Sequence, residues 1–144
     1  MLVKQKNGVF FLEFPKLAGF SGILHGVLTR KNGKSKGPFQ SLNVSFGVGD
    51  NDQTVLENRK IISRCFNDND LIFLDQIHGT RIIAYSKEHG FYRVLDANDC
   101  FKDEYSETLS AQIDIYGIES ERRVEADAIV TDIPGKLLVI QVAD

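Results

Sequence analysis

One stretch of this chain shows sustained helical periodicity, and the remaining apolar segments are short enough to be strands. From Asp50 onward, Val55, Ile62 and Phe66 fall on one helical face, with Cys65 beside them. Asp50 with Gln53 three residues later forms a capping-box pair, worth ~1 kcal/mol. Glu57, Arg59 and Lys60 lie mostly off the apolar stripe, and the run Asn67-Asp68-Asn69-Asp70 ends the helix. Strands are expected over residues 8–14, 23–29, 71–74, 81–85, 124–131 and 137–142. Pro15 stops the first, and the last is apolar enough to be buried on both faces. Ile133-Pro134-Gly135-Lys136 suits a type II turn, with Pro and Gly at its centre. The plan is that of an α/β or α+β domain.

The 144 residues, 42% hydrophobic, amount to one ordinary domain. The balance of 17 Lys and Arg against 20 Asp and Glu gives a net charge of −3. That argues against a general nucleic-acid binder, which needs a concentrated basic face. No apolar run approaches the ~20 residues that span a bilayer, and Glu13, Pro15 and Lys16 interrupt the only candidate signal core. No membrane association is expected. Cys65 and Cys100 are too few for a disulfide framework and form no C-x-x-C, so each reads as a small buried hydrophobe in a reduced, cytoplasmic protein.

Two places stand out for chemistry. Residues 30–51 form a long loop with Gly33, Gly37, Gly47 and Gly49, and its start holds Arg30, Lys31, Lys34 and Lys36. It is either a solvated basic turn or a loop that faces a phosphate or similar oxyanion. Its glycine spacing is not that of a P-loop. The second place is Asp75-Gln76-Ile77-His78-Gly79-Thr80, between two apolar strands, where an imidazole beside a glycine is well placed to face a cleft. Of the other histidines, His25 reads as a packed, hydrogen-bonded imidazole in a strand. Gly26 beside it marks a close approach of backbone or ligand. His89 reads as an exposed turn. The polar segment 86–123 is an elaborated, acidic connection. One histidine does not make a metal site, since catalytic zinc takes three protein ligands.

Several blocks resemble a known family. His25-Gly26-Val27-Leu28-Thr29-Arg30, then Gly33, Ser35, Pro38-Phe39 and Ser41-Leu42-Asn43, resemble the opening signature of the YfiH, or laccase-domain, proteins. Gly49-Asp50, Val55 and Glu57-Asn58-Arg59 resemble the family's capped helix. Gln76-Ile77-His78-Gly79-Thr80 resembles its Q-V-H-G-T block. Ala126-Asp127-Ala128-Ile129-Val130-Thr131, Pro134-Gly135 and Val142-Ala143-Asp144 resemble its A-D-A-L-V-T…P-G…A-D-C block. The order and number of these blocks carry the resemblance over nearly the whole chain.

The resemblance implies an α+β fold of layered mixed sheets with flanking helices, similar to cytotoxic necrotizing factor catalytic domains. It implies phosphorolysis of adenosine or inosine to a base and ribose 1-phosphate, with adenosine deamination also attributed to the family. It further implies a transition metal, usually zinc with copper possible, held by the Q-V-H-G histidine, the A-D-C cysteine and a later histidine of H-A-G-W-R-G. His78 matches the first and is the expected metal ligand and catalytic residue. The chain ends at Asp144, one residue before the expected cysteine, and an apolar strand ending in a free carboxylate is physically odd. Residues 1–144 are therefore expected to be the N-terminal portion of one laccase-domain fold, inactive alone. Truncation, a proteolytic break, a split coding frame or a companion C-terminal chain would each produce such a piece. The segment 86–123, longer than the family's usual connection, adds an acidic flap or a homo-oligomer contact. Phosphate needs cationic or N–H donors, for which Arg30 or Arg59 are the candidates, and Asn43 is the candidate polar contact to the nucleoside. The alternatives are a copper-dependent polyphenol oxidase, which needs clustered His and Cys ligands, and a non-catalytic binding half.

Overall fold

The computed structural model describes residues 1–67, 69–85, 92–96 and 125–141, with the backbone alone for 85 and 92–96. Expectations for His89, Cys100, the terminal Val142-Ala143-Asp144 and the segment 86–123, apart from 92–96, lie outside the described residues. The chain divides into two compact units, residues 1–68 and 69–144.

In the first unit, β1 (Leu2–Lys6) and β2 (Val9–Glu13) form an antiparallel hairpin with Lys6 opposite Val9. The two-residue turn is Asn7-Gly8, with φ of +49° and +82°. Both centres of a type I′ turn need positive φ, which is why Asn-Gly is favoured there. β3 (Val27–Leu28) extends the sheet on the far side of β2. The short helix α1 (Pro15–Ala18) follows β2, with proline in its first turn where no N–H is required.

The long helix α2 (Asp52–Cys65) buries Val55, Leu56, Ile62 and Cys65. With Phe66, Val9, Phe11 and Leu42 they make the core of this unit. The Phe11 and Phe66 rings meet at 5.2 Å and 55°, a tilted pair worth about 1 kcal/mol beyond its buried area. The apolar face read from periodicity is the face that packs. Two details differ. The N-cap is Asn51, whose Oδ1 accepts the Thr54 N–H, while Asp50 is used elsewhere. Arg59 is not off the stripe but buried, at 5% exposure. At the C-terminus, Asn67 (φ +65°) takes the left-handed position after Phe66, and the Asn7 amide donates to the Arg64 carbonyl.

The expected strand over 23–29 shrinks to β3. His25 leaves the ladder because its Nε2 accepts the Phe14 N–H at 2.9 Å, and its ring stacks on Phe14. The hydrogen-bonded imidazole is as expected. The close approach at Gly26 is by side chains: a Cβ there would stand 2.9 Å from the Phe11 ring and 3.2 Å from Phe66.

In the second unit, β4 (Asp70–Phe73) pairs in parallel with β8 (Lys136–Val139). A three-stranded sheet places β5 (Arg81–Tyr85) between β6 (Tyr92–Asp96), antiparallel, and β7 (Ala128–Thr131), parallel. Leu71, Ile72, Leu74, Ile83 and Ala126 are buried. The strand read as buried on both faces is half-buried along β8, and Ile140 is exposed. Among the described residues β8 has a neighbour on one edge, β4. Gly135, φ +79°, supplies the positive φ that the type II turn before β8 requires. Mixed sheets with few helices are the α+β class expected from the sequence.

Candidate functional site

The loop after β3 is built from the helix behind it. Asn58, fully buried on α2, projects its amide into the loop. Its Oδ1 accepts the Lys34 N–H at 2.7 Å. Its Nδ2 donates to Ser35 Oγ at 2.8 Å and to the carbonyls of Asn43 (2.7 Å) and Ser41 (3.3 Å). One side chain thus ties the two limbs of the loop together. Ser41 reinforces the closure: its hydroxyl donates to the Arg30 carbonyl, and its own carbonyl accepts the Ser35 N–H. Gly33 is required by this closeness, since a Cβ there would lie 2.0 Å from the Ser41 carbonyl oxygen. Backbone of that kind cannot swing aside as a side-chain tip can.

Asp50 sits at the end of the loop. Its carboxylate accepts from Ser35 Oγ (2.6 Å), Asn43 Nδ2 (2.9 Å) and the Asn51 N–H (2.9 Å). The Asn43 amide and then the Ser35 hydroxyl hold its pKa below the usual carboxylate value, against the opposing effect of desolvation. These bonds explain why Asp50 does not cap the helix.

Asn43 therefore faces protein on several sides: its amide also reaches the Ser45 carbonyl, and its Oδ1 accepts the Ser45 N–H. Arg59 donates from Nε (2.9 Å) and a terminal nitrogen (2.8 Å) to the Val44 carbonyl, and its guanidinium lies 4.3 Å above the centre of the Phe46 ring. Arg30 is exposed, with one terminal nitrogen donating to the Pro38 carbonyl at 3.3 Å. Lys31, Lys34 and Lys36 are exposed around it. The structure thus joins Asn43 and Arg59 through the 43–46 backbone and places Arg30 at the loop's outer limb. Asn58 and Asp50 are the organising residues of the loop, a role the sequence reading does not give them: it takes Asp50 as the helix cap and Asn58 as part of the capped-helix block. For Asn58 the available signal was an uncharged polar residue at a helical position between Val55 and Ile62, on the apolar side.

His78 belongs to the second unit, on the turn between β4 and β5. Residues 76–80 are exposed. His78 has φ +55°, a left-handed conformation uncommon for a residue with a Cβ. The next peptide is held: the Gly79 N–H donates to Asp127 Oδ2 at 2.9 Å. The segment before β7 is stitched to both ends of the turn, through Ala126 N–H to the Asp75 carbonyl (3.0 Å) and Asp127 N–H to the Arg81 carbonyl (2.9 Å). Among the described residues no group of three His, Cys, Asp or Glu is placed to hold a metal. Nor is any helix among them long and apolar enough to cross a membrane. Cys65 is a buried free thiol whose pKa is pushed up by burial, partly opposed by Lys6, so it is a core residue and not a nucleophile.

Blocks that resemble one family in sequence touch in space: 33–43 with Asn58, and Gly79 with Asp127. Residues 24–144 match the multi-copper polyphenol oxidoreductase laccase family, and the chain belongs to it. Purine nucleoside phosphorylase YlmD of Geobacillus stearothermophilus is 36% identical over 70 residues, 47% of this chain and 26% of that protein. Purine nucleoside phosphorylase of Haemophilus influenzae is 29% identical over 117 residues, 81% of this chain and 35% of that protein. The match thus spans about a third or less of these relatives' length. The crystal structure of Geobacillus stearothermophilus YlmD superposes with a TM-score of 0.58 at 24% identity, over 94% of this chain and 42% of that one. That likeness establishes the fold.

Proposed function

We propose that the whole protein is a purine nucleoside phosphorylase, and that residues 1–144 are the N-terminal portion of its laccase-domain fold. In the reaction the bond from purine nitrogen to ribose C1′ breaks, a bond from phosphate oxygen to C1′ forms, and the base leaves with a proton. The observation that carries this reading is the family match over residues 24–144, with relatives named for that activity. Adenosine or inosine would be the nucleoside. Adenosine deamination, in which water adds at purine C6 and ammonia leaves to give inosine, is a further activity of the same reading.

Within it, His78 is one ligand of a transition metal, zinc or alternatively copper. An exposed imidazole on a turn whose backbone is anchored from behind fits that role, and neutral imidazole suits both ions. The metal, when bound, would supply Lewis-acid polarisation at the reacting centre. The remaining ligands would follow Asp144 in the whole protein, which leaves this portion inactive alone. Arg30 is the proposed direct phosphate contact. A guanidinium has five N–H donors, and the bond to the Pro38 carbonyl uses one. Asn43 and Arg59 are proposed to serve the nucleoside and phosphate side chiefly by shaping the 43–46 backbone, since their amide and guanidinium groups already hold it. A buried free thiol at Cys65 supports a reduced, cytoplasmic location.

The test is product analysis with the full gene product. Inosine and adenosine should yield free base and ribose 1-phosphate with phosphate present and little without it. Oxygen consumption with phenol oxidation and no base release would instead support the copper polyphenol oxidase reading.

A further inference from the structure

The sequence offers no reason to link His78 with a residue near position 127, and the fold brings their segments together. Three observations bear on that junction. His78 has a left-handed backbone (φ +55°) that a residue with a Cβ adopts only when its surroundings impose it. The peptide immediately after it donates its N–H to a carboxylate oxygen of Asp127 at 2.9 Å. That carboxylate stands on a braced segment: Ala126, fully buried, is bonded to Asp75 before the turn, and Asp127 to Arg81 after it. The carboxylate is a charge-assisted acceptor, the stronger class of hydrogen-bond partner. It captures the Gly79 N–H and so favours one orientation of the 78–79 peptide. The left-handed His78 backbone accompanies that orientation.

We propose that Asp127 is the positioning residue for His78: by holding the Gly79 N–H it fixes the turn that aims the imidazole outward. Asp127 acts here on the backbone and does not touch the metal. The role rests on the reading of His78 as a metal ligand. Metal sites depend on outer partners that orient their ligands, and loss of such a partner typically costs 10–100-fold in affinity. Those partners usually bond the far nitrogen of the imidazole, whereas in this turn the orienting bond is made to the main chain beside it.

The experiment compares Asp127→Ala, Asp127→Asn and His78→Ala in the full gene product. Zinc affinity is read by competition with a chromophoric chelator, and exchange of the Gly79 amide by NMR. Asp127→Ala should weaken zinc about 10–100-fold and speed exchange at Gly79. Asp127→Asn retains an oxygen acceptor and should stay near wild type in both. His78→Ala should lose the zinc and keep Gly79 protected. The proposal is overturned if Asp127→Ala leaves either readout unchanged while His78→Ala abolishes zinc binding. It is also overturned if Asp127→Asn loses zinc as fully as Asp127→Ala with Gly79 still protected, since the carboxylate is then itself a ligand. Zinc binding indifferent to His78→Ala overturns the ligand reading, and this role with it, whatever happens at Gly79.

Discussion

In the loop after β3, the polar groups meet partners supplied from a buried helix. Asn58 holds both limbs, Asp50 closes the end and Arg59 grips Val44. In the turn after β4, residues 76–80 lie exposed, and the fastening comes from Asp127 behind. The first arrangement is a scaffold whose organising side chains, Asn58 and Arg59, face inward, with the cations of its outer limb exposed. The second presents a side chain outward on a constrained backbone. Damage to the scaffold should therefore be read mainly as lost stability, and damage to the turn mainly as lost chemistry.

The largest stability effect should come from Asn58→Ala. It strands the Lys34 N–H and several acceptors in a buried place, at a cost of about 3 kcal/mol by urea denaturation. A cost below about 1 kcal/mol would mean that the loop does not depend on the helix. Gly33→Ala should follow at about 2 kcal/mol, because the new methyl meets the Ser41 backbone. Arg59→Lys should cost about 1 kcal/mol: the ammonium keeps one bond to Val44 at most and loses the flat stacking on Phe46.

The smallest effects sharpen the comparison at the helix start. Asn51→Ala should cost ~1 kcal/mol as loss of an N-cap. Asp50 should act through pH instead. Its folded-state pKa lies below its unfolded value, so its contribution is fully present above the unfolded value of about 3.9. The contribution disappears as pH falls through the lower folded value. Asp50→Asn should flatten that acid-side slope, seen in melting temperatures across the acid range. A slope unchanged in the variant would remove Asp50 from the loop's account.

The helix was legible because Val55, Ile62 and Phe66 repeat at its period and pack as a face. Its cap was misplaced by one residue because Asp50 and Asn51 are both capping types, and the choice depends on a loop partner, Ser35, fifteen positions away. β5 was legible to the residue. β1 was not, because its five residues are exposed and carry no apolar alternation; the Asn7-Gly8 turn was its available signal. Arg59 illustrates a different limit. Its charge argues for the surface, and contacts such as those to the carbonyl of Val44 and the ring of Phe46, made in the fold, make burial tolerable. The bond from Gly79 to Asp127 spans 48 positions, and no local pattern encodes such a contact. The family's motif blocks named the candidate residues; the contacts between blocks came from the fold.

The most direct test of the division between scaffold and chemistry is phosphate-dependent cleavage of inosine by the full gene product, wild type against His78→Ala, with folding checked by circular dichroism. The expected result is a loss of at least about a thousandfold in kcat/KM, or about 4 kcal/mol of transition-state stabilisation, with unchanged secondary structure. A folded His78→Ala protein that cleaves inosine at the wild-type rate would contradict the account.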